Sequence, residues 1–456
     1  MTHQTRRGSR VAQTYSIPLE ELNESKIEER QTHLTLQARS SFGVPPPAFS
    51  AWFVQDGRLH MPRFYGLEHF GPAEQDARVD GDAVALSFTG TLTPVQERAT
   101  SAVETRFAQP HSEHGALVCL PCGYGKTVWA VSMIARLGRK AVVFVHKSFL
   151  RDQWEQAFRN FCPGVRVGYI QGKVWKVEDC DVVIAMVMTM AKRDIDPDVL
   201  DCFGTLCFDE CHHMAAPVMN LATRCFRGRY ILGLTATKER PDGLTPLLHW
   251  SLGPEVFRVE RDTERVQVTV ALFAGGSPEI LNRDGKPVMS IMINRLAACE
   301  PRNRFIADRI VALHSTGRVL IVLSDRIKQL ETLRAMVLAR EVDPLCVGLF
   351  TGATREADRP EQLARQIVMC SYGMANEGLD KREADTCIMA TPKGRVTQCI
   401  GRIQRPCETK QTPLVVDIAD DASVFARLRW KRQRIYSAER YEVQVLQATS
   451  AEGWFA

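Results

Sequence analysis

The chain has 456 residues, of which 45% are hydrophobic and 24% are charged, and its formal net charge at pH 7 is +5. The length excludes a single ordinary hydrophobic core and predicts two or three domains, and the composition is that of a soluble globular protein. The mild positive charge permits a polyanionic partner without establishing one.

Signals for export or for membrane insertion are weak. The longest apolar run, residues 182–190, is far shorter than the roughly 20 residues that span a bilayer. Residues 1–10 are basic but lack the apolar stretch of a secretory signal, so we interpret them as a disordered tail. Fourteen scattered cysteines indicate a reducing environment. We therefore expect an intracellular protein of the nucleus or cytoplasm, with no membrane partner.

The first ninety residues carry few strong signals. Residues 1–47 are polar and end in three consecutive prolines, which predicts a polar tail. Residues 48–91 contain aromatic residues, glycines and a stretch of alternating hydrophobicity, which predicts a small, partly β accessory segment.

A helix is predicted to begin at Thr93 and Pro94, since proline is favoured in the first turn. Gln96 would then face a cleft. Its amide can both donate to and accept from an adenine edge, so a contact with the base of ATP is one interpretation. A solvent-exposed helix glutamine is the alternative.

Residues 115–136 join a short apolar strand to a helix through a glycine-rich turn, an order of elements that cradles a triphosphate. Gly123 and Gly125 allow a tight turn, so that backbone N–H groups around Tyr124 point at phosphate oxygens. Lys126 supplies a charge for the β- and γ-phosphates, and the Thr127 hydroxyl can ligate Mg²⁺. The turn therefore predicts an ATP site, although the full motif has glycine at position 120, where this chain has leucine.

Strand and helix signals alternate through two stretches, 92–255 and 263–420, separated by a Leu-Gly-Pro break. Alternation of this kind predicts an α/β fold with two parallel sheets, each covered by helices on both faces. Ligands of such sheets bind at the carboxyl ends of the strands. In the first stretch the polar residues at these predicted ends are His146, Asp209, Glu210, Thr235 and Thr237.

Asp209 and Glu210 directly follow the apolar strand residues Leu-Cys-Phe. An acidic residue at the end of a buried strand is placed to hold Mg²⁺, which is the role predicted for Asp209. Glu210 could polarise an attacking water. A solvent-exposed acidic pair is the alternative, and the preceding apolar residues disfavour it.

Together these motifs resemble the superfamily 2 helicases and translocases of the DExH type. Residues 121–127, 209–212 and 235–237 match the first domain of that superfamily. Ala-Asn-Glu-Gly-Leu-Asp at 375–380 resembles motif V, and Gln-Cys-Ile-Gly-Arg-Ile-Gln-Arg at 398–405 resembles motif VI. The resemblance implies two tandem RecA-like domains of the P-loop NTPase class, preceded by the small accessory segment.

The resemblance also implies roles for individual residues. Arg402 and Arg405 would act as arginine fingers on the γ-phosphate. Domain closure would then be needed for catalysis. The remaining residues complete the ATP cleft or couple it to nucleic acid: Gln398, Gly378 and Asp380 for the cleft, and Thr235, Thr237, Lys147 and His212 for the coupling.

Residues 209–213 and 232–243 point to one branch of the superfamily. They resemble helicases of the xeroderma-pigmentosum-B type, phage recombination helicases and the transcript-release helicases of large DNA viruses. Lys238 departs from the branch, where proline is usual. The resemblance implies a nucleic-acid partner, DNA in preference to RNA, with transcription or repair machinery as a possible further partner. An RNA helicase, a transcript-release factor, an ATPase without unwinding activity and a nonhydrolysing scaffold are the alternatives.

Residues 421–456 are predicted to be a basic C-terminal extension. Its basic side chains surround Trp430. Two interpretations are equally open, a nucleic-acid contact and the solvated face of a helix. The residues concerned are Arg427, Arg429, Lys431, Arg432 and Arg434.

Overall fold

The structure, a computed structural model, consists of two compact units, Met1–Glu260 and Arg261–Ala456. It describes residues 6–38, 46–109, 113–121, 123–193, 195, 197–213, 216–236, 242–259, 265–273, 279–377, 379, 381–394, 396–405, 407, 410–420 and 424–448. Within these ranges, no helix combines the length and apolar character that a membrane span requires.

The first unit opens with an accessory region built on a five-stranded sheet in the order β5-β6-β2-β1-β7. Neighbouring strands are antiparallel except β1 and β7, which are parallel, and β3 and β4 form a separate antiparallel pair. The elements are β1 Arg6–Val11, β2 Tyr15–Pro18, a 3-10 turn Leu19–Glu21, α1 Glu24–His33, β3 Thr35–Leu36, β4 Phe49–Ser50, β5 Phe53–Gln55, β6 Arg58–Met61, α2 Arg63–Phe70 and β7 Ala73–Asp76.

The core of this region lies between β2, β6 and α2. Tyr15 pairs with Met61 and Ile17 with Leu59 across the two strands, and all four side chains are fully buried. Helix α2 packs directly on Tyr15, since a Cβ at Gly66 would lie 2.2 Å from the Tyr15 Cβ. A larger residue at that position would push the helix off the sheet.

The predicted polar tail over 1–47 is therefore wrong for residues 6–38, which fold with the segment that follows them. Strand β2 pairs with β6, and β1 pairs with β7, so the predicted boundary near residue 47 falls inside one folded region. Tyr15, Ser16 and Ile17 of β2 are all buried, although they lie in an otherwise polar stretch of sequence. The pattern is too short to stand out in the sequence.

The rest of the first unit contains an eight-stranded sheet in the order β11-β10-β12-β9-β13-β14-β8-β15. All neighbours are parallel except β10 and β11. The elements are α3 Pro94–Ala108, β8 Gly115–Cys119, α4 Lys126–Leu137, β9 Ala141–Val145, α5 Ser148–Phe161, β10 Val167–Gln171, β11 Val174–Lys176, β12 Val182–Met186, α6 Val187–Met190, 3-10 turns Pro197–Leu200 and Cys211–His213, β13 Thr205–Phe208, α7 Ala216–Thr223, β14 Tyr230–Thr235, α8 Thr245–Leu252 and β15 Glu255–Arg258.

The second unit contains a seven-stranded sheet in the order β18-β19-β17-β20-β21-β16-β22, with every neighbouring pair parallel. The elements are β16 Gln267–Phe273, α9 Met289–Ala298, α10 Glu300–Ser315, β17 Leu320–Ser324, α11 Ile327–Leu338, 3-10 turns Pro344–Cys346 and Glu356–Asp358, β18 Val347–Phe350, α12 Arg359–Ala364, β19 Ile367–Ser371, α13 Tyr372–Glu377, β20 Thr386–Met389, α14 Thr397–Ile403, β21 Leu414–Asp420, α15 Val424–Ala438 and β22 Glu442–Gln447.

Both parallel sheets are buried on their two faces, which explains their nearly continuous apolar strands. In β9, Val142 and Phe144 join one core cluster, while Val143 and its odd-numbered neighbours join another. In β17, Ile321 and Leu323 likewise belong to one core cluster, and Leu320 and Val322 belong to another. The predicted α/β class is confirmed.

The predicted C-terminal extension over 421–456 is not separate from the second sheet. Strand β22 pairs in parallel with β16, and α15 packs on β21. The Arg432 side chain of α15 is buried, its Nε donates to Asp417 Oδ2 at 2.7 Å, and Tyr436 donates to the same oxygen. Arg432 is therefore a structural residue, contrary to its interpretation as part of a basic surface.

We predict that Arg432→Met lowers the free energy of unfolding by about 3–5 kcal/mol, because it leaves the Asp417 carboxylate buried without its cation. Chemical denaturation of the full chain, monitored by circular dichroism, measures the change. The control is Arg434→Met on the exposed face of the same helix. Equal stability of the two variants would contradict a stabilising role for the buried pair.

Candidate nucleotide site at the edge of the first sheet

The turn between β8 and α4 requires glycine for two reasons. Gly123 and Gly125 have φ angles of 92° and 70°, in the left-handed region that favours glycine. A Cβ at Gly125 would also lie 2.5 Å from the Gln96 Nε2. Lys126 is the first residue of α4, so the positive end of that helix and the N–H groups of its first turn lie at the glycine turn.

Gln96 supports this turn from α3. Its Oε1 accepts from the Thr93 backbone N–H at 2.8 Å, and Thr93 caps the helix in return. Its Nε2 donates to the carbonyls of Tyr124 and Gly125, at 3.1 Å each. The helix start predicted from Thr93 and Pro94 is present. Because the Gln96 amide is engaged by the protein, the structure gives it a role in holding the turn, and the adenine contact stays a prediction.

Lys126 and Glu210 meet at the carboxyl edge of the sheet. The Lys126 Nζ lies 3.2 Å from Glu210 Oε1 and donates to the Leu120 carbonyl at 3.3 Å. Thr127, next in α4, is half-buried. The structure therefore brings the predicted phosphate-binding lysine beside the predicted water-polarising carboxylate.

Asp209 follows β13 and is only 4% exposed. Burial raises the pKa of its carboxyl to about 6, and the adjacent Glu210 carboxylate acts in the same direction. A hydrogen bond from Trp154 and the charge of Lys126 oppose this shift. Asp209 is thus a carboxylate held in a dry site, where a nearby cation would strongly favour its charged form.

Trp154 is a site residue that the sequence interpretation missed. The helical spacing of α5 marked it as an apolar residue facing the core, and it is fully buried. Its indole Nε1 also donates to Asp209 Oδ2 at 2.8 Å. The available signal was chemical: a buried tryptophan usually finds an acceptor for its N–H.

A chain of polar contacts leads from Glu210 toward β14. Glu210 has a φ angle of 44°, unusual for a residue other than glycine. Its Oε2 lies 3.4 Å from His212 Nδ1, which lies 2.9 Å from Thr235 Oγ1. Thr237 is outside the described residues. The structure thus joins two of the predicted coupling residues, His212 and Thr235, to the carboxylate of the site.

Lys147 is half-buried at the start of α5, directly after β9, at the same carboxyl edge of the first sheet. Ligands of parallel sheets bind at this edge, so the position of Lys147 is compatible with its predicted contact to a nucleic-acid phosphate.

In the second unit, the residues predicted to form motif VI lie on or just after α14. The Arg402 Nε donates to the Ala375 carbonyl at 2.9 Å. Gln398 is half-buried on the same helix, and the carbonyl of Arg405 accepts from Lys410 Nζ at 2.8 Å. The predicted ATP-binding residues Gly378 and Asp380 lie outside the described residues.

The fold and the residues of the site are similar to those of the superfamily 2 helicases. A family model described as "Type III restriction enzyme, res subunit" matches residues 89–240. Over its fold the chain is similar to yeast (S. cerevisiae) Dbp5 in a structure with RNA and ADP BeF3, with a TM-score of 0.54, 11% identity, 79% of this chain and 91% of that chain covered. That likeness concerns the fold alone and confirms two tandem RecA-like domains.

Relatives by sequence occur in large DNA viruses. L396 of Acanthamoeba polyphaga mimivirus, whose name classes it provisionally as an ATP-dependent RNA helicase, is 29% identical over 403 residues, covering 86% of this chain and 77% of the relative. QP509L of African swine fever virus (isolate Pig/Kenya/KEN-50/1950), named in the same way, is 25% identical over 414 residues, with 77% of each covered. The resemblance predicted from the sequence is confirmed: the chain is similar to viral proteins that are named as ATP-dependent helicases.

Proposed function

We propose that the chain hydrolyses Mg·ATP in order to move along or unwind nucleic acid, with DNA as its preferred substrate and a DExH-type site. The observation that carries the proposal is the 3.2 Å approach of Lys126 Nζ to Glu210 Oε1 beside a glycine turn. A phosphate-binding cation and a carboxylate able to orient water are needed together for phosphoryl transfer to water.

The donor set suits Mg²⁺ as the metal. Mg²⁺ is usually held by one or two carboxylates together with waters and substrate phosphates. Asp209 and the Thr127 hydroxyl would hold the ion. A divalent cation at this point would lower the raised pKa of Asp209 and keep its carboxylate charged. When bound, the ion would neutralise charge that develops on the phosphates.

The pairing of Lys126 with Glu210 suggests how the site would respond to ATP. Phosphate oxygens would compete for the lysine, since several negative charges converge there. Release of the Glu210 carboxylate would leave it able to accept a hydrogen bond from water and orient it for attack. Its link to Thr235 through His212 would carry the change to β14.

The second unit would supply the remaining catalytic groups. Under this proposal Arg402 and Arg405 stabilise charge on the transferring phosphoryl group, while Gln398 and Asp380 complete the binding of ATP. Gly378 would belong to the same ATP-binding set. Hydrolysis would then depend on both units.

Trp154→Phe tests the support of the metal site, because it keeps a buried aromatic ring and removes the N–H donor. We expect a concentration of Mg²⁺ for half-maximal ATP turnover that is about ten-fold or more higher, as for loss of a hydrogen bond to a metal ligand. Trp129→Phe is the control, since its indole donates to Thr100 instead. An unchanged Mg²⁺ requirement in Trp154→Phe would remove this support.

The Asp-Glu-Cys-His motif and the glutamine at the start of motif VI favour DNA as the substrate. Contacts to backbone phosphates, such as that proposed for Lys147, suit a translocase because they do not depend on base sequence. RNA is the second candidate, favoured by the names of L396 and QP509L. If DNA is the substrate, transcription or repair machinery inside the cell would be the natural partner.

The test compares ATP turnover on single-stranded DNA, duplex DNA and RNA, with strand-displacement substrates of both polarities. We expect the strongest stimulation by DNA and displacement with one polarity. Stimulation by RNA alone would replace DNA with RNA in the proposal, and stimulation without displacement would leave a translocating ATPase.

A further inference from the structure

Helix α15 presents two different faces. Its buried face carries Val424, Phe425, Leu428, Arg432 and Tyr436, which pack on the second sheet and on α9. Its opposite face carries four exposed residues at helical spacing i, i+3, i+4 and i+7. These four form what we term the α15 stripe: Arg427, Trp430, Lys431 and Arg434.

Trp430 is the distinctive member of the α15 stripe. It is 58% exposed, and among the described residues it is the one aromatic side chain in the set of exposed large hydrophobic residues. The guanidinium carbon of Arg429 lies 5.9 Å from its ring centroid. A large π-surface is therefore displayed to solvent within a group of cations.

The charge of the stripe is separated from the structural charge of the helix. Arg432 is turned inward and pairs with the buried carboxylate of Asp417, whereas Arg427, Lys431 and Arg434 are exposed. A row of positively charged side chains on an exposed surface attracts a polyanion.

The stripe also adjoins the carboxyl edge of the second sheet. A Cβ at Gly394, which follows β20, would lie 3.6 Å from the Lys431 Cδ, and Arg432 donates to the Lys393 carbonyl at 2.7 Å. Ligands of parallel sheets bind at this edge. A nucleic-acid strand bound at this edge of the second sheet could continue directly onto α15.

We propose that the α15 stripe is a second nucleic-acid contact, which binds a single strand by stacking a base on Trp430 and pairing its phosphates with the flanking cations. This rests on the proposed function, because it assigns the stripe to the same nucleic acid. Exposed bases and phosphates together are what an aromatic ring within a cationic surface fits. An acidic protein segment would use the cations and leave the indole without a role.

The test measures binding of the full chain, without nucleotide, to a fluorescein-labelled oligothymidylate by anisotropy across a salt series. Trp430→Leu should weaken binding about five-fold or more, the loss of one stacked base, while Trp430→Phe keeps most of the affinity. Neither change should alter binding to an abasic strand of the same length, which has no base to stack.

Arg427→Gln with Arg434→Gln should weaken binding to both strands and reduce the slope of log affinity against log salt by about 1.4, at about 0.7 per lost phosphate contact. The charge-matched control is Arg304→Gln with Arg340→Gln, on α10 and just after α11, which should leave the slope unchanged. Arg304 and Arg340 are in surface pairs with Glu300 and Asp308.

The outcomes separate this inference from the proposed function. If the chain binds strands and its ATP turnover is stimulated, but all stripe variants bind as the unaltered chain does, the inference is overturned alone. If Trp430→Leu weakens the abasic and base-bearing strands equally, stacking is overturned. If the unaltered chain binds no strand and shows no stimulation, the proposed function fails with it.

Discussion

Replacing Lys126 by alanine is expected to lower nucleic-acid-stimulated ATP turnover by about a hundred-fold or more, the effect of losing a charge aimed at the reacting group. Its Nζ lies at the glycine turn, 3.2 Å from Glu210 Oε1, so its loss removes the proposed partner of the phosphates and leaves Glu210 without this cation. Steady-state phosphate release at saturating DNA measures the change.

The matched control for Lys126 is Lys140→Ala. Lys140 also pairs with a carboxylate, Asp82 at 2.9 Å, but it precedes β9 at the amino end of the strands. Its removal should leave turnover within about two-fold, as expected for a surface pair. Near-normal turnover in Lys126→Ala would refute its assignment to the phosphates.

Arg405→Ala is expected to retain ATP binding and to lose turnover by about 10³-fold or more, because an arginine finger acts on charge that develops in the transition state. Binding of a fluorescent ATP analogue and phosphate release should be measured on the same preparation. Arg304→Ala, an exposed arginine of the same unit, is the control. A collapse of nucleotide affinity in Arg405→Ala would show that Arg405 binds the ground state and is not a finger.

The parts of the site that the sequence predicted are local in the chain. The turn at Gly123 and Gly125 is specified by adjacent residues, since glycine, lysine and threonine occur at fixed spacing between a strand and a helix. Asp209 and Glu210 follow an apolar strand, and a parallel sheet places all such ends at one edge. The meeting of Lys126 with Glu210 therefore follows from the class of fold.

The contacts that the sequence did not predict depend on which elements become neighbours. Trp154 reaches Asp209 because α5 packs where β13 ends, and Gln96 reaches the glycine turn because α3 lies against it. Helical spacing identifies the buried face of α5 but not the atom that its indole meets. Which atoms a buried side chain contacts depends on how the elements pack, and the spacing of apolar residues along the sequence does not reveal it.

The two ends of the chain show the same limit. The accessory sheet uses short strands whose partners are far apart in sequence, so alternation around Tyr15 gave little signal. Arg432 belonged to a run of basic residues until the structure placed it against Asp417 of β21. Composition reports a charge run without distinguishing a buried arginine from the exposed ones beside it.

ATP turnover of the full chain, measured with and without nucleic acid, tests most directly whether this protein is a nucleic-acid motor. We expect a low basal rate that rises severalfold with DNA or RNA and requires Mg²⁺. Equal turnover with and without every nucleic acid tested would contradict a motor that couples ATP hydrolysis to strand movement.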